Sequence, residues 1–362
     1  AQFLDDLSID GCWIGGTVRA QVPRGKLREI RLDPSFDWGR VVLVTARDLP
    51  GINAVSMIRD DYPALADLLI SFPTQAVALV AAPDQETLGE ALAAVSLDVE
   101  ELPPILTVED SIACTQVIWG ENNIMDEYSI ASGNSAEAFE TADLIVEGTY
   151  RTKHQEHVYL ETQGMAALPG EDGSLEVIGS MQCPYYVHST LVKALGFPPE
   201  KVRVRQTVTG GAFGGKEDYP SILGLHAALL ALKSGRPVKM VYDRKEDLLC
   251  TTKRHPSVIR HRTGVKKDGT LTAAEIDIVL DGGAFTTMSK VVLSRSILHA
   301  TGCYFIPHVS VRARAVATNT PPNGAYRGFG VPQSNFAIER HMDRIAEALG
   351  MDPLDLRKKN LL

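Results

Sequence analysis

No two cysteines in this chain are close enough in sequence to suggest a shared metal. Cys12, Cys114, Cys183, Cys250 and Cys303 are widely spread, and none has the two-residue spacing usual for zinc or iron-sulfur ligation. Reduced, mostly buried thiols are expected. A surplus of basic residues is lacking too: 36 lysines and arginines face 45 acids, for a net charge of -9. That balance argues against a general nucleic-acid or anionic-membrane partner and leaves small molecules or other proteins. No apolar run approaches the roughly 18 residues of a membrane span. The first twenty residues mix Asp5, Asp6 and Asp10 with short apolar runs, unlike a signal peptide, so a cytoplasmic location is expected. Internal repeats and low-complexity tracts are missing as well.

What is present suffices for a substantial core. The chain has 362 residues, 44% of them apolar and 22% charged, and this length suggests two or three domains. Residues 12–32 read as two strands around a Pro23 to Gly25 turn, a hairpin. Val41 to Val44 and the apolar run Ala76 to Ala81 read as further strands. Asp84 then caps a helix from Thr87 to Val95, and Leu97 to Leu102 returns to a period of two, giving a strand-helix-strand unit. From Pro104 to about Ser135 the chain is polar and irregular, which predicts a linker, with a new domain starting near Ala136. Beyond it the pattern predicts a helix at Ala136–Ala142 and strands at Leu144–Tyr150, Leu175–Gly179, Val202–Val208 and Val238–Tyr242. Ser257–Val265 and Leu271–Leu280 form a hairpin through Lys267-Asp268-Gly269. Helices are expected at Tyr186–Leu195, Ser221–Lys233 and Val331–Leu349, the last two stopped by Gly235 and Gly350. The class is α+β, a mixed α/β chain with long loops.

The densest local signal is Thr209-Gly210-Gly211-Ala212-Phe213-Gly214-Gly215-Lys216-Glu217, between a strand and an apolar helix. It follows a phosphate-binding P-loop until Glu217, which stands where a serine or threonine should bind magnesium; a carboxylate there would repel a triphosphate. Four glycines around one phenylalanine nevertheless suggest backbone that closely approaches a ligand.

With its neighbours, the loop resembles that of the xanthine dehydrogenase and aldehyde oxidase family of molybdenum hydroxylases. The motifs that carry the resemblance are Gln155 to Thr162, Met181-Gln182-Cys183-Pro184, Gly210 to Glu217, Arg295 to His299, and Ala325-Tyr326-Arg327-Gly328-Phe329-Gly330, followed by Met351 to Arg357. Leu49-Pro50-Gly51, Val77 to Ala81 and Glu101-Leu102-Pro103 resemble landmarks of the family's small α/β hammerhead domain. The resemblance implies a hammerhead-like domain with linker at 1–130 and the first molybdopterin-binding domain at 131–362. It further implies a molybdenum-pterin cofactor, as molybdopterin or its cytosine dinucleotide, with the metal held through the pterin rather than by protein ligands.

By the same match, Gln182, Gly211, Phe213, Gly214, Arg327 and Gly328 face the cofactor, while Phe213 and Phe329 sandwich a planar heterocycle. Glu217 and Arg295 match charged substrate-pocket positions of the xanthine-oxidising branch and would orient substrate and stabilise charge. The substrate expected is a purine or related N-heterocycle, hydroxylated with oxygen from water. No cysteine lies between Ala325 and Gly330, which disfavours the copper-binding variant of the superfamily. His157, with no partner histidine at metal spacing, reads as structural.

The family's general base, a glutamate, and its second molybdopterin-binding domain are expected elsewhere: on the rest of a longer protein if this chain is an excised fragment, or on a partner chain if the subunit is naturally split. Iron-sulfur and FAD modules are expected on others, and this chain alone should be inactive. Two alternatives stand beside this reading: a nucleotide-binding protein using the glycine loop, and a non-catalytic assembly chain retaining the fold.

Overall fold

The computed structural model describes residues 2–362. Three sheets organise them. A seven-stranded sheet runs, edge to edge, Val202–Gln206, Leu175–Gly179, Gly164–Pro169, Val238–Val241, Trp13–Arg19, Ala76–Ala82 and Val42–Thr45. A five-stranded sheet runs Ile124–Ser132, His308–Ala317, Leu271–Gly283, Ser257–Val265 and Leu144–Thr152, and a three-stranded one runs Leu69–Ile70, Gly25–Leu32 and Val95–Glu101.

The helix Tyr219–Ser234 is buried continuously from Tyr219 to Ala231. A helix apolar on all sides must be enclosed, and this one lies in the core of the large sheet with the helix Pro184–Leu195 beside it. The helices Ser289–Leu298 and Val331–Leu349 close the second core over the five-stranded sheet. Among the described residues, no helix is long and apolar enough to cross a membrane.

The expected hairpin at 12–32 does not form. Trp13–Arg19 pairs with Ala76–Ala82 and, in parallel, with Val238–Val241, whereas Gly25–Leu32 pairs with Val95–Glu101 in another sheet. The local turn signal is real, but each strand finds a better-buried partner elsewhere. For the same reason Ala76–Ala82 and Val95–Glu101 flank their helix without sharing a sheet. The stretch expected to be a linker contains the helix Val108–Ala113 and the edge strand Ile124–Ser132. Its polar alternation reflects a strand exposed on one face and paired only on one side. The cysteines are free, as expected, but only Cys250 is buried; Cys303 is exposed and the other three are intermediate.

Two parallel strand pairs set the geometry that matters. In the large sheet, Leu175–Gly179 and Val202–Gln206 run side by side and end in register at Gly179 and Gln206. In the five-stranded sheet, Leu271–Gly283 and His308–Ala317 do the same at Gly283 and Ala317. Ligand sites in such sheets form beyond the carboxyl ends of parallel strands.

A knot around buried Asp281 ties off the second pair. Its Oδ1 accepts from the Gly283 N–H (2.9 Å) and the Thr318 hydroxyl (2.8 Å), and its backbone carbonyl accepts from the Asn323 amide (2.9 Å). Gly283 has φ +72°, and a Cβ there would lie 2.4 Å from the Pro321 carbonyl. Burial pushes the Asp281 carboxyl up to about 6, against hydrogen bonds that favour ionisation. The folded chain therefore holds a proton that the unfolded chain has released between about pH 4 and 6, so this group's contribution to stability falls as pH rises through that window. The loss is on the order of 3 kcal/mol at most. Denaturation midpoints at about pH 4.5 and about pH 7, which bracket most of that window, should converge in Asp281→Asn; parallel curves for the two proteins would contradict the assignment.

Candidate active site

The first strand pair delivers two segments to one place. Leu175–Gly179 runs on through Ser180 and Met181 to Gln182, and Val202–Gln206 runs on into the glycine loop. The loop fastens to Gln182 at both levels: Gln182 N–H donates to the Lys216 carbonyl (2.7 Å), and Gln182 Oε1 accepts from the N–H groups of Gly214 (3.0 Å) and Lys216 (3.3 Å). With its oxygen engaged, the amide presents its NH2 as the free, uncharged donor.

The second strand pair delivers the helix Ser289–Leu298, which carries Arg295, and the turn Ala325 to Gly330. The turn and the glycine loop touch directly. Arg327 N–H donates to the Phe213 carbonyl (2.9 Å), and a Cβ on Gly214 would stand 2.7 Å from the Ala325 carbonyl oxygen. Gly330 makes an equally close approach to the Arg295 helix, 2.3 Å from the Val292 carbonyl for a hypothetical Cβ, and Ser334 Oγ donates to the Ser296 carbonyl (2.7 Å). Phe213 (φ +53°) and Phe329 (φ +51°) both adopt left-handed backbone. That conformation costs roughly 1–2 kcal/mol for a residue with a side chain, and such strain concentrates at ligand sites.

Of the residues singled out from sequence, Gln182, Gly211, Phe213, Gly214 and Glu217 thus share the first loop cluster, and Arg327, Gly328 and Phe329 share the turn docked on it. Arg295 is attached through the backbone contacts of its helix. Its exposed side chain makes no hydrogen bond or ion pair with another described residue. Phe213 is 49% exposed, whereas Phe329 packs against the second core. Glu217 is partly buried without a cation on it; burial first, and the neighbouring charge of Asp218 second, push its carboxyl above the ordinary value.

Lys216 decides against nucleotide binding. Its side chain is fully buried, and Nζ donates to Glu161 (2.8 Å) and Ser180 (3.0 Å) beside the Tyr159 ring. Burial pulls the ammonium below its ordinary value while Glu161 pulls it back. Burial in turn opposes ionisation of Glu161, but Lys216, the Ser180 hydroxyl and the Gly210 N–H hold its carboxyl below the ordinary value. A phosphate-binding lysine must reach out of its loop; this one points inward and fastens the loop to the strand ends.

Sequence reasoning missed this scaffold. Glu161 lies in the Gln155 to Thr162 motif, where no role attached to it, and Lys216 read only as part of a nucleotide signature. His157 is buried as a structural residue, its Nε2 2.8 Å from the Ala325 carbonyl and its ring stacked on Tyr326. Arg254, 8% exposed, carried no local signal at all.

Known proteins share this fold and these domains. The family profile for the molybdopterin cofactor-binding domain matches residues 119–361, and that for the aldehyde oxidase and xanthine dehydrogenase a/b hammerhead domain matches residues 1–103. The nicotinate dehydrogenase large molybdopterin subunit of Eubacterium barkeri is 36% identical over 99% of this chain and 85% of its own length. A probable xanthine dehydrogenase subunit of Bacillus subtilis is 35% identical over 99% of this chain but only 48% of its own length. The structure of the aldehyde oxidoreductase from Desulfovibrio gigas superposes with a TM-score of 0.90 at 28% identity, covering all of this chain and 41% of that one. The chain belongs to the xanthine dehydrogenase and aldehyde oxidase family of molybdenum hydroxylases, and it spans about half or less of several relatives it matches.

The residues present fit a pterin-held cofactor. Among the described residues, none accepts a hydrogen bond from the backbone N–H of Gly211, Ala212, Phe213 or Gly328, and Gln182 adds its free NH2. Free donors suit an anionic, acceptor-rich group.

Replacing Glu161 by Gln should cost about 3 kcal/mol of stability by stranding the buried Lys216 charge. Lys216→Met should cost a similar amount, and the double variant much less than the sum. Additive losses in a denaturation cycle would show that the pair does not couple. Calorimetry with magnesium-ATP should detect no binding.

Proposed function

We propose that this chain is the front part of the molybdopterin-binding subunit of a cytoplasmic hydroxylase complex that oxidises a purine or related N-heterocycle with oxygen from water. What supports the reading is that Glu217, a partly buried carboxyl with no cation, lies in the loop that carries Phe213, while Arg295, an exposed guanidinium with no acid, lies on the helix against which the Phe329 turn rests. In this reading residues 1–130 are the hammerhead domain with its linker, and 131–362 the first cofactor-binding domain.

Bound at the two loops, the molybdenum-pterin group supplies two-electron redox chemistry. Gln182 donates to it through the NH2 that its pinned oxygen leaves free, and Gly211, Gly214, Arg327 and Gly328 let backbone approach closely. Phe213 and Phe329 hold the heterocycle's plane. Ionised Glu217 accepts a ring N–H, and Arg295 meets negative charge that develops on the ring. The general base belongs to the second molybdopterin-binding domain, with iron-sulfur and FAD subunits completing the complex. The name of the Eubacterium barkeri relative favours nicotinate as a second substrate to try, whose carboxylate suits Arg295.

Glu217→Gln in the purified complex should lower kcat/KM for the N-heterocycle on the order of 10- to 100-fold while molybdenum content stays unchanged. Loss of the metal would instead make Glu217 structural, and unchanged turnover of both purine and nicotinate would sink the assignment. Because its carboxyl is raised, wild-type kcat/KM should fall on the acid side at a pH above the ordinary carboxylate range. Protonation removes the acceptor there, and this limb should vanish in Glu217→Gln.

A further inference from the structure

Tyr326 opens the turn that carries Arg327, Gly328 and Phe329, and its ring is held by two groups. The His157 ring stacks on it at 4.4 Å, and the Arg254 guanidinium lies 3.9 Å from its centroid. Both groups are within stacking distance of the one ring. Arg254 does more than stack: Nη2 donates to the Arg327 carbonyl (2.9 Å) and Nε to Gln155 Oε1 (2.8 Å), while its own N–H donates to the Gln155 carbonyl (3.1 Å).

This geometry is costly to build. The side chain is buried, lacks a carboxylate partner and leaves Nη1 unpartnered. A surface arginine would stabilise the fold without that penalty. What the placement secures is the turn, whose Gly328 and Phe329 lie at φ +92° and +51°. Left to itself, a turn carrying phenylalanine in that conformation would relax. The flanking residues belong to the same clasp: Lys253 Nζ pairs with Glu156 (2.6 Å), and the Lys253 carbonyl accepts from the Gly324 N–H (2.9 Å).

We propose that Arg254 is a positioning residue: through the Tyr326 ring and the Arg327 carbonyl it holds the Tyr326 to Phe329 turn in its left-handed form and thereby sets the stacking wall of the substrate slot. The slot itself rests on the function proposed above; the hold on the turn does not. Lysine cannot replace the planar fork, because an ammonium cannot lie over the ring and bond both Gln155 and the Arg327 carbonyl at once.

The test is amide hydrogen exchange on the purified complex, read for the peptide 323–333 against the strand 271–283. Arg254→Lys should speed exchange in 323–333 by about tenfold or more and leave 271–283 unchanged, since only a local opening is made easier. Tyr326→Leu should reproduce this, and Tyr326→Phe, which keeps the ring, should not; these two also serve if Arg254→Lys fails to fold. In turnover, Arg254→Lys should raise KM for the heterocycle several-fold more than it lowers kcat, with molybdenum retained. Unchanged exchange in 323–333, or equal acceleration in both segments, would overturn the proposal. The expected exchange result with no N-heterocycle turned over by the wild type would instead leave the positioning role standing and refute the function.

Discussion

Everything at this site depends on two backbones lying closer than a side chain would permit. Gly214 rests on the Ala325 carbonyl, and Arg327 N–H reaches the Phe213 carbonyl across the same seam. The seam joins the carboxyl ends of two parallel strand pairs from different sheets. Each sheet has its own core, and the contact between them fixes where Gln182, Glu217 and Phe213 stand relative to Arg327 and Phe329.

Around that seam the charges are arranged as fasteners. Through Lys216 and Gly210 the glycine loop is tied inward to Glu161 and Ser180, and Arg254 ties the opposing turn to Gln155. Neither is cheap in a low-dielectric interior. Their common effect is to keep strained, glycine-rich backbone in one conformation while its outward N–H groups remain free. A site that receives a large prebuilt cofactor needs that kind of preorganised surface more than it needs ligating side chains.

Much of this was legible in the sequence, and the reasons it was or was not are physical. The hairpin Ser257 to Leu280, the buried run Ala76 to Ala82 and the amphipathic helix Val331–Leu349 were readable because turn chemistry and periodicity are local. The separated motifs located both loops and Arg295. The 12–32 hairpin failed because its two strands are claimed by different sheets, and the supposed linker failed because a half-exposed edge strand has a loop's polarity. Lys216 was misread because a lysine after glycines looks the same whether it points outward to phosphate or inward to Glu161.

The sequence by itself determined the family, the α+β class, the two loops and the residue types available for substrate and cofactor. Those properties follow from local patterns and from motifs kept in order along the chain. Only the tertiary structure decided that Gln182 turns its NH2 outward, that Lys216 is a buried fastener and that Arg254 grips Tyr326. Those outcomes depend on contacts between residues tens of positions apart. Burial and the lack of a counter-charge, which give such contacts their strength, are properties of the packed chain and of no segment alone.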